Sequence, residues 1–324
     1  LHCMAAETIM AGNVIRGVVT ESKSGRRAIL AKRVIDASGD ADIAHLAGAP
    51  WRMAPKNELM GVTVSFSLNG VDRERFLAYV KTNPSTYKDW GVETTGKEDR
   101  MFSPYLAEPF QRAKAAGEIP EAVEIAGTWS RLSEHGDATY INVVYMRGYD
   151  ATDIHDLTQG EIKGRRQALW AADALRKYAP GFEKSSLRTF GASLGTRESR
   201  KIVGRYNLTE GDVRNQARFD DAIGIFPEFI DGYGVVVLPS TGRFFQVPYG
   251  ILVPQKVENL LVAGRCVAGD QSSHAATRAM MCCAVTGQGA GVAAALSIRD
   301  GVACSQVDIG RLQRHLVKQG VRIS

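Results

Sequence analysis

The sequence predicts an α/β fold in which a domain built from both chain ends is interrupted by an inserted, antiparallel middle. Three observations carry this reading. Val34-Ile35-Asp36-Ala37 and Leu260–Ala263 are short apolar runs that end in small residues, Ala-Ser-Gly and Ala-Gly, as buried strands of a parallel sheet do. An Ala/Gly-rich helical stretch, Met281–Ile298, follows the second run. Between these ends lie alternating runs such as MGVTVSFSLNG (Met60–Gly70), the mark of half-buried antiparallel strands.

Taken in order, Glu7–Met10 and Val14–Thr20 alternate around Ala-Gly-Asn, a hairpin signal. A second turn at Ser22–Arg26 leads into the Val34 strand. After the Met60–Gly70 strand, Asp72 is a good N-cap for a helix carrying Phe76, Leu77 and Val80 on one face. From Asn83 to Gly136 the signals are mixed and loop-rich, punctuated by Pro84, Pro104, Pro109 and Pro120. Asn142–Met146 reads as a strand. Leu157–Tyr178 is the clearest helix, with Ile162, Leu169, Ala172 and Leu175 expected on its packed side. Val235–Leu238, Phe245–Val247 and Ile251–Val253 read as further strands, and Ile309–Gln319 as a closing amphipathic helix. The expected division is residues 1–50 and 246–324 for the nucleotide-type domain and 51–245 for the insertion.

Composition narrows the function classes. The 324 residues are 44% apolar and 23% charged, enough for a buried core and two domains. The net charge of +5 is dispersed, which suits a small anionic ligand better than nucleic acid, whose binders gather charge on one face. No apolar stretch reaches the roughly 18 residues of a spanning helix, and the opening LHCMAAETIM lacks the basic region of a signal peptide. Leu1 stands where an initiator Met is expected, which suggests that something upstream is missing. The five cysteines show no CxxC pair or ligand spacing, so no metal site is expected and a reducing cytoplasm fits best.

Two segments bear on chemistry. VIDASGD (Val34–Asp40) ends a buried strand at Gly39, where the missing Cβ lets backbone pass close to a ligand. Ligands on open α/β sheets bind at the carboxyl ends of strands; the plainer reading is an ordinary strand-to-loop turn. In LLVAGRCVAGDQSSHAATRAMMCCAVTGQGAGVAAA (Leu260–Ala295) a strand ends at Gly264, a polar loop holds Arg265, Asp270, His274 and Arg278, and a helix starts near Met281. A helix N-terminus offers free N–H groups and a positive dipole end. Gly287 and Gly291 share a helical face, but GQGAG lies inside the helix and is no dinucleotide fingerprint. Cys282-Cys283 invites a redox reading, although adjacent cysteines form only strained bridges.

Together VIDASGDADIAHLAGAP (Val34–Pro50), LGTRESRKIVGRYNLTEGDV (Leu194–Val213) and NLLVAGRCVAGD…TRAM…TGQGAGVAAA (Asn259–Ala295) resemble three signature blocks of one group. These are bacterial FAD-dependent oxidoreductases related to the fumarate reductase and succinate dehydrogenase flavoproteins. The resemblance implies a glutathione-reductase-type FAD domain, here lacking the N-terminal GxGxxG segment that cradles the pyrophosphate. A missing segment or a partner chain would then complete the FAD site. It further implies that Ser38, Gly39 and Asp40 lie near FAD, and that Gly264-Arg265 stands where relatives have a ribityl-binding Glu. Arg265 cannot accept a hydrogen bond, so Asp270 is the expected substitute. The backbone of Met281, Cys282 and Cys283 would face the flavin carbonyl. His274 and Arg278 keep the His-x-x-x-Arg spacing that grips a substrate carboxylate. Arg197 falls where fumarate reductases have an arginine acid/base; the plainer reading is an ion pair with Glu198 or Asp212.

The expected function is hydride transfer between flavin N5 and a small, carboxylate-bearing molecule. The rival readings are a non-catalytic subunit or scaffold that completes its flavin site only with a partner chain, and a flavin hydroxylase.

Overall fold

The computed structural model describes residues 2–82, 106–128, 131–233, 235–237 and 242–324. The chain forms two compact units, Leu1–Ala54 with Ser199–Ser324, and Pro55–Glu198. Each has its own apolar core, the first holding Ile15, Phe245, Leu261 and Leu316, the second Phe66, Ile141, Leu175 and Phe182.

The outer unit opens with a meander, β1 (Cys3–Ala11), β2 (Val14–Ser22) and β3 (Gly25–Leu30), paired in sequence order as the two turn signals predict. Next come β4 (Val34–Asp36), α1 (Asp42–Leu46) and β5 (Trp51–Arg52).

The inner unit contains β6 (Phe66–Asn69), α2 (Arg73–Thr82), α3 (Glu108–Ala115), β7 (Ile125–Thr128), β8 (Arg131–Leu132), β9 (Ala138–Val144), α4 (Ile154–Tyr178) and β10 (Ser186–Phe190). Its antiparallel sheet runs β10-β6-β9-β7, with β8 also on β9. Asp72 caps α2 as expected, its Oδ1 accepting from the Arg75 amide at 3.1 Å. In the mixed region Pro109 falls in the first turn of α3, while Pro84 and Pro104 lie outside the described residues.

Helix α4 corrects the predicted packing face. Ile162 and Leu169 are 51% and 47% exposed, whereas Gly160, Gly164, Ala168, Ala171, Ala172, Ala174 and Leu175 are buried. The small residues win because the neighbouring chain comes very close. A Cβ at Gly164 would stand 2.4 Å from Val64 Cγ2 and 2.8 Å from Met146 Cε. Apolar periodicity misses such a face, since glycine and alanine carry little hydrophobic weight.

The chain returns to the outer unit through β11 (Lys201–Ile202), which pairs antiparallel with β5. Then come α5 (Glu210–Arg214), β12 (Ala222–Pro227), β13 (Ile230–Gly232), β14 (Val235–Val237) and β15 (Phe244–Pro248). β12 pairs with β15 and β13 with β14. The expected last residue of that strand, Leu238, lies outside the described residues. Leu208, Val213, Ile223 and Phe226 join the outer core, so residues 199–245 pack here rather than with the expected 51–245 insertion.

The expected Ile251–Val253 strand is instead a buried 3-10 turn, Tyr249–Leu252. Asp221 holds it, accepting from the Tyr249 amide through its carbonyl (2.9 Å) and from the Gly250 amide through Oδ2 (2.8 Å). The chain ends with β16 (Leu260–Val262), α6 (Gln271–Thr277), α7 (Met280–Asp300) and α8 (Ile309–Lys318). α7 also corrects the expectation about apolar length: by length and composition alone it is long and apolar enough to cross a membrane, with a mean hydropathy of 1.5. Its polar Thr286, Gln288 and Ser297 interrupt the apolar run. In the fold, one side of α7, including Cys282, Ala290, Ala293 and Leu296, packs into the outer core.

The α4 contact makes the first prediction. Gly164→Val forces side chain into occupied space and should lower stability by about 1–3 kcal/mol. Ile162→Ala, on the exposed side, should change it by no more than about 0.5 kcal/mol. Denaturant midpoints of the two variants would check this; the reverse order would restore the apolar-periodicity reading.

Candidate active site

β4 and β16 lie parallel, with Val34, Ile35 and Asp36 opposite Leu260, Leu261 and Val262. This pairing joins the two sequence segments singled out for chemistry and sets their loops side by side at the strands' carboxyl ends. Asp36 shapes the first loop. Although 1% exposed, its carboxylate accepts from Ser38 N (3.0 Å), Ser38 Oγ (2.7 Å) and Ala44 N (2.9 Å). A buried carboxylate needs such donors to offset its lost hydration.

Gly39 follows with φ +84°, a conformation that favours glycine. The close neighbour at Gly39 is Arg265: a Cβ there would stand 2.5 Å from its Nη1. The glycine's bareness thus lets an arginine of the second loop lie against the backbone. Arg265 Nη2 donates to Asp40 Oδ1 at 2.7 Å, and Ser199 Oγ donates to the same oxygen at 2.5 Å. Arg200 Nη1 donates to the Asp40 carbonyl (3.0 Å) and to Asp42 Oδ1 (2.9 Å). Asp40 is therefore tied to two other stretches of the outer unit.

Gly264 differs from Gly39. Its φ is +87°, and no atom lies within 4 Å of where a Cβ would stand. Its amide donates to Thr286 Oγ1 at 3.0 Å, fastening the end of β16 to α7.

The second loop, expected to be irregular, contains α6. Asp270 caps it, accepting from Ser273 N at 2.7 Å, while its other oxygen accepts from Glu210 N at 2.8 Å. Both carboxylate oxygens of the expected ribityl acceptor thus serve helix starts. His274, 1% exposed, lies on α6, and Arg278 closes the helix one turn later. Arg278 Nη2 donates to the carbonyl and to Oδ2 of Asp231 on β13, the latter at 3.1 Å.

Helix α7 begins directly after Arg278, and its N-cap, Ala279, offers no side-chain acceptor. The first-turn N–H groups therefore have no side-chain cap. Met281 is exposed, Cys282 fully buried and Cys283 half-buried. Burial pushes the Cys283 thiol up, and the Arg265 and Arg278 guanidiniums pull it back, so both cations act at the α7 start. Arg197 belongs to the inner unit. There its guanidinium sits 5.2 Å from the Tyr145 ring centroid, a cation–π contact. Asp212, a suggested partner of Arg197, is committed to the Thr209 capping box.

A family profile described as FAD dependent oxidoreductase matches residues 1–316. The chain belongs to this family. The cofactor implied by membership in the FAD-dependent oxidoreductases is FAD. No curated protein sequence matches the chain significantly. Among solved structures it is similar to a geranylgeranyl bacteriochlorophyll reductase-like protein from Thermoplasma acidophilum, with 11% identity and a TM-score of 0.42. That match covers 99% of this chain and 54% of the other, so the chain spans about half the length of that protein.

The residues at the strand ends fit such a cofactor. Open space at Gly264, an α7 start without a side-chain cap, and guanidiniums at Arg265 and Arg278 suit an electron-rich, anionic group. Ser199, Arg200, Asp36 and Asp231 were missed in the sequence. A charged residue inside an apolar strand two places before a serine could have flagged Asp36. Ser199 and Arg200 sit in the block scanned for Arg197, and Asp231 carries no local signal.

The redox reading of the cysteine pair finds no support in the thiols. All five cysteines are free, and burial pushes Cys282 up and Cys266 to about 12. A thiol raised in the folded chain holds its proton where the unfolded chain has released it. The resulting stability is complete below about pH 9 and fades as pH climbs toward about 12. At pH 8 a disulfide reagent should label exposed Cys3 at once and Cys283 slowly, leaving Cys266 and Cys282 for the denatured chain. Rapid labelling of Cys282 in the folded protein would contradict its burial.

Proposed function

We propose that this chain carries most of the active site of a dehydrogenase or reductase that acts on a small, carboxylate-bearing molecule. In this reading the outer unit is the greater part of a glutathione-reductase-type FAD domain, related to the fumarate reductase and succinate dehydrogenase flavoproteins. The observation that carries the reading is the meeting of the Asp40–Arg265 pair, Gly264, Arg278 and the α7 start in the outer unit.

FAD, when bound, supplies hydride chemistry at its N5. The chain supplies position and field. The backbone N–H groups of Met281 and Cys282 would face the electron-rich edge of the ring, where the α7 dipole favours negative charge, whereas the Cys283 N–H already donates to the Ala279 carbonyl at 2.9 Å. Ser38, Gly39 and Asp40 would line the cofactor, with Arg265 balancing the Asp40 charge. Arg278 pins the substrate carboxylate, because a planar guanidinium fixes direction as well as charge. His274, one helical turn away, supports that grip. Arg197 is the acid/base candidate that the family resemblance supplies.

The pyrophosphate cradle comes from a strand–turn–helix segment outside these 324 residues. Two surfaces support this. Among the described residues β4 pairs with β16 alone, and Gly287 and Gly291 on α7 have nothing within 4 Å of their Cβ positions. The 324-residue chain alone should retain little FAD, and a polypeptide that includes the segment should bind it stoichiometrically. Flavin absorbance after gel filtration checks both, and a longer protein without flavin would sink the proposal.

Arg278→Lys should raise KM for a carboxylate substrate and lower kcat, a combined cost of about 2–4 kcal/mol in kcat/KM. If Arg197 takes part in the same reaction, its conservative substitution should be strongly non-additive with Arg278→Lys in a double-mutant cycle. Unchanged kinetics in Arg278→Lys would remove that residue from the site.

A further inference from the structure

The Arg278 guanidinium is unevenly served. Nη2 is shared between the carbonyl and the carboxylate of Asp231, while Nε is buried with no hydrogen-bond partner among the described residues. Leaving a buried donor unmet is costly, so the fork is held in a place that does not satisfy it internally. The two contacts to Asp231 are also unequal. The carbonyl belongs to β13, whose pairing with β14 fixes it in space. The carboxylate is 50% exposed against 16% for Arg278 and lies 3.1 Å from Nη2. An ion pair with so exposed a partner is weak. The carbonyl is the anchor, and the carboxylate is an arm that another carboxylate can displace.

We infer that Asp231 is a specificity-determining and positioning residue. It orients Arg278 through its backbone carbonyl, and its side chain acts as a built-in competitor that partly neutralises the guanidinium. An incoming anion therefore meets less than a full positive charge, which favours monoanions over dianions. This inference rests on the reading of Arg278 as the substrate-carboxylate pin. Asp231 acts through Arg278 without touching the reacting carbon.

The test uses the full-length, FAD-loaded protein with acetate and malonate as probes, titrated calorimetrically at low and at moderate salt. Asp231→Asn keeps the backbone anchor and removes the charge. It should tighten acetate about threefold and malonate more, about tenfold, with the gain shrinking as salt rises. Asp231→Glu, which keeps the charge, should bind both probes as the unaltered protein does. With a turned-over carboxylate substrate, Asp231→Asn should lower KM and leave kcat unchanged, the signature of stronger uniform binding. Weaker or unchanged binding in Asp231→Asn, while Arg278→Lys still loses affinity tenfold or more, would overturn the competitor role and leave Arg278 as the pin. If Arg278→Lys also binds both probes unchanged, the carboxylate reading itself falls. Thermal midpoints of all three variants, matched to the parent, exclude misfolding as the cause of either result.

Discussion

The pairing of Val34–Asp36 with Leu260–Val262 is the constraint on which the candidate site depends. It is only three residues long, and it joins segments more than two hundred residues apart. Closing so long a loop is less costly than it looks, since each doubling of length adds only about 0.6 kcal/mol. The geometry of the intervening chain eases it further. The chain leaves the outer unit on β5 and returns on β11, and those strands are themselves paired, Trp51 with Ile202 and Arg52 with Lys201. An insertion whose two ends are neighbours can fold around its own core without pulling the host apart. The core of Pro55–Glu198, with Phe66, Phe76, Phe110 and Phe182, is such a core.

With the strands in register, the loops beyond them need a second level of control, and charge provides it. Asp36 is buried and sends no charge outward; its oxygens hold the Ser38 turn and the α1 backbone. Asp40, four residues on, faces Arg265 and Ser199 instead. Two aspartates of one short segment thus do different work because one points into the fold and the other across to the second loop. The bare Cα of Gly39 between them lets the Arg265 guanidinium lie against the backbone. Any side chain at position 39 would have to displace that guanidinium and adopt a left-handed backbone as well, a strain of about 1–2 kcal/mol.

The parts legible in the sequence share a physical origin. Turn chemistry and period-two alternation read the β1–β3 meander, because a hairpin is a local object. The capped start of α2, the amphipathic α8 and the strands at Val34 and Leu260 are equally readable from nearby residues. What escaped was decided at a distance. The packing side of α4 is set by Val64, Met146 and Leu194, and no local period records how closely those residues approach Gly164 and Gly160. The buried turn at Tyr249–Leu252 looks like a strand in composition and is made a turn by Asp221. α6 was hidden in a polar stretch because its stability comes from the Asp270 cap and burial of Ala275 and Ala276, not from an apolar stripe. In the candidate site the same division holds. Arg265, Arg278 and the α7 start stood out by type and spacing, while Ser199, Arg200 and Asp231 matter only through partners that the fold brings to them.

The electrostatics of the outer unit follow from those partners. Arg265 and Arg278 both lower the cost of negative charge at the start of α7, where the helix itself contributes a partial positive charge. Each guanidinium is also met by one aspartate, Asp40 and Asp231. Those two pairs differ in burial. Asp40 and Arg265 are 19% and 24% exposed, so their attraction is only partly screened and the pair acts as a fixed strap between loops. Asp231 is far more open to water than Arg278, so its hold on that guanidinium is weak and reversible. A site that must keep its loops together while admitting an anion needs both kinds of pair, one that stays closed and one that yields. The outer unit has one of each, and both guanidiniums act on Cys283.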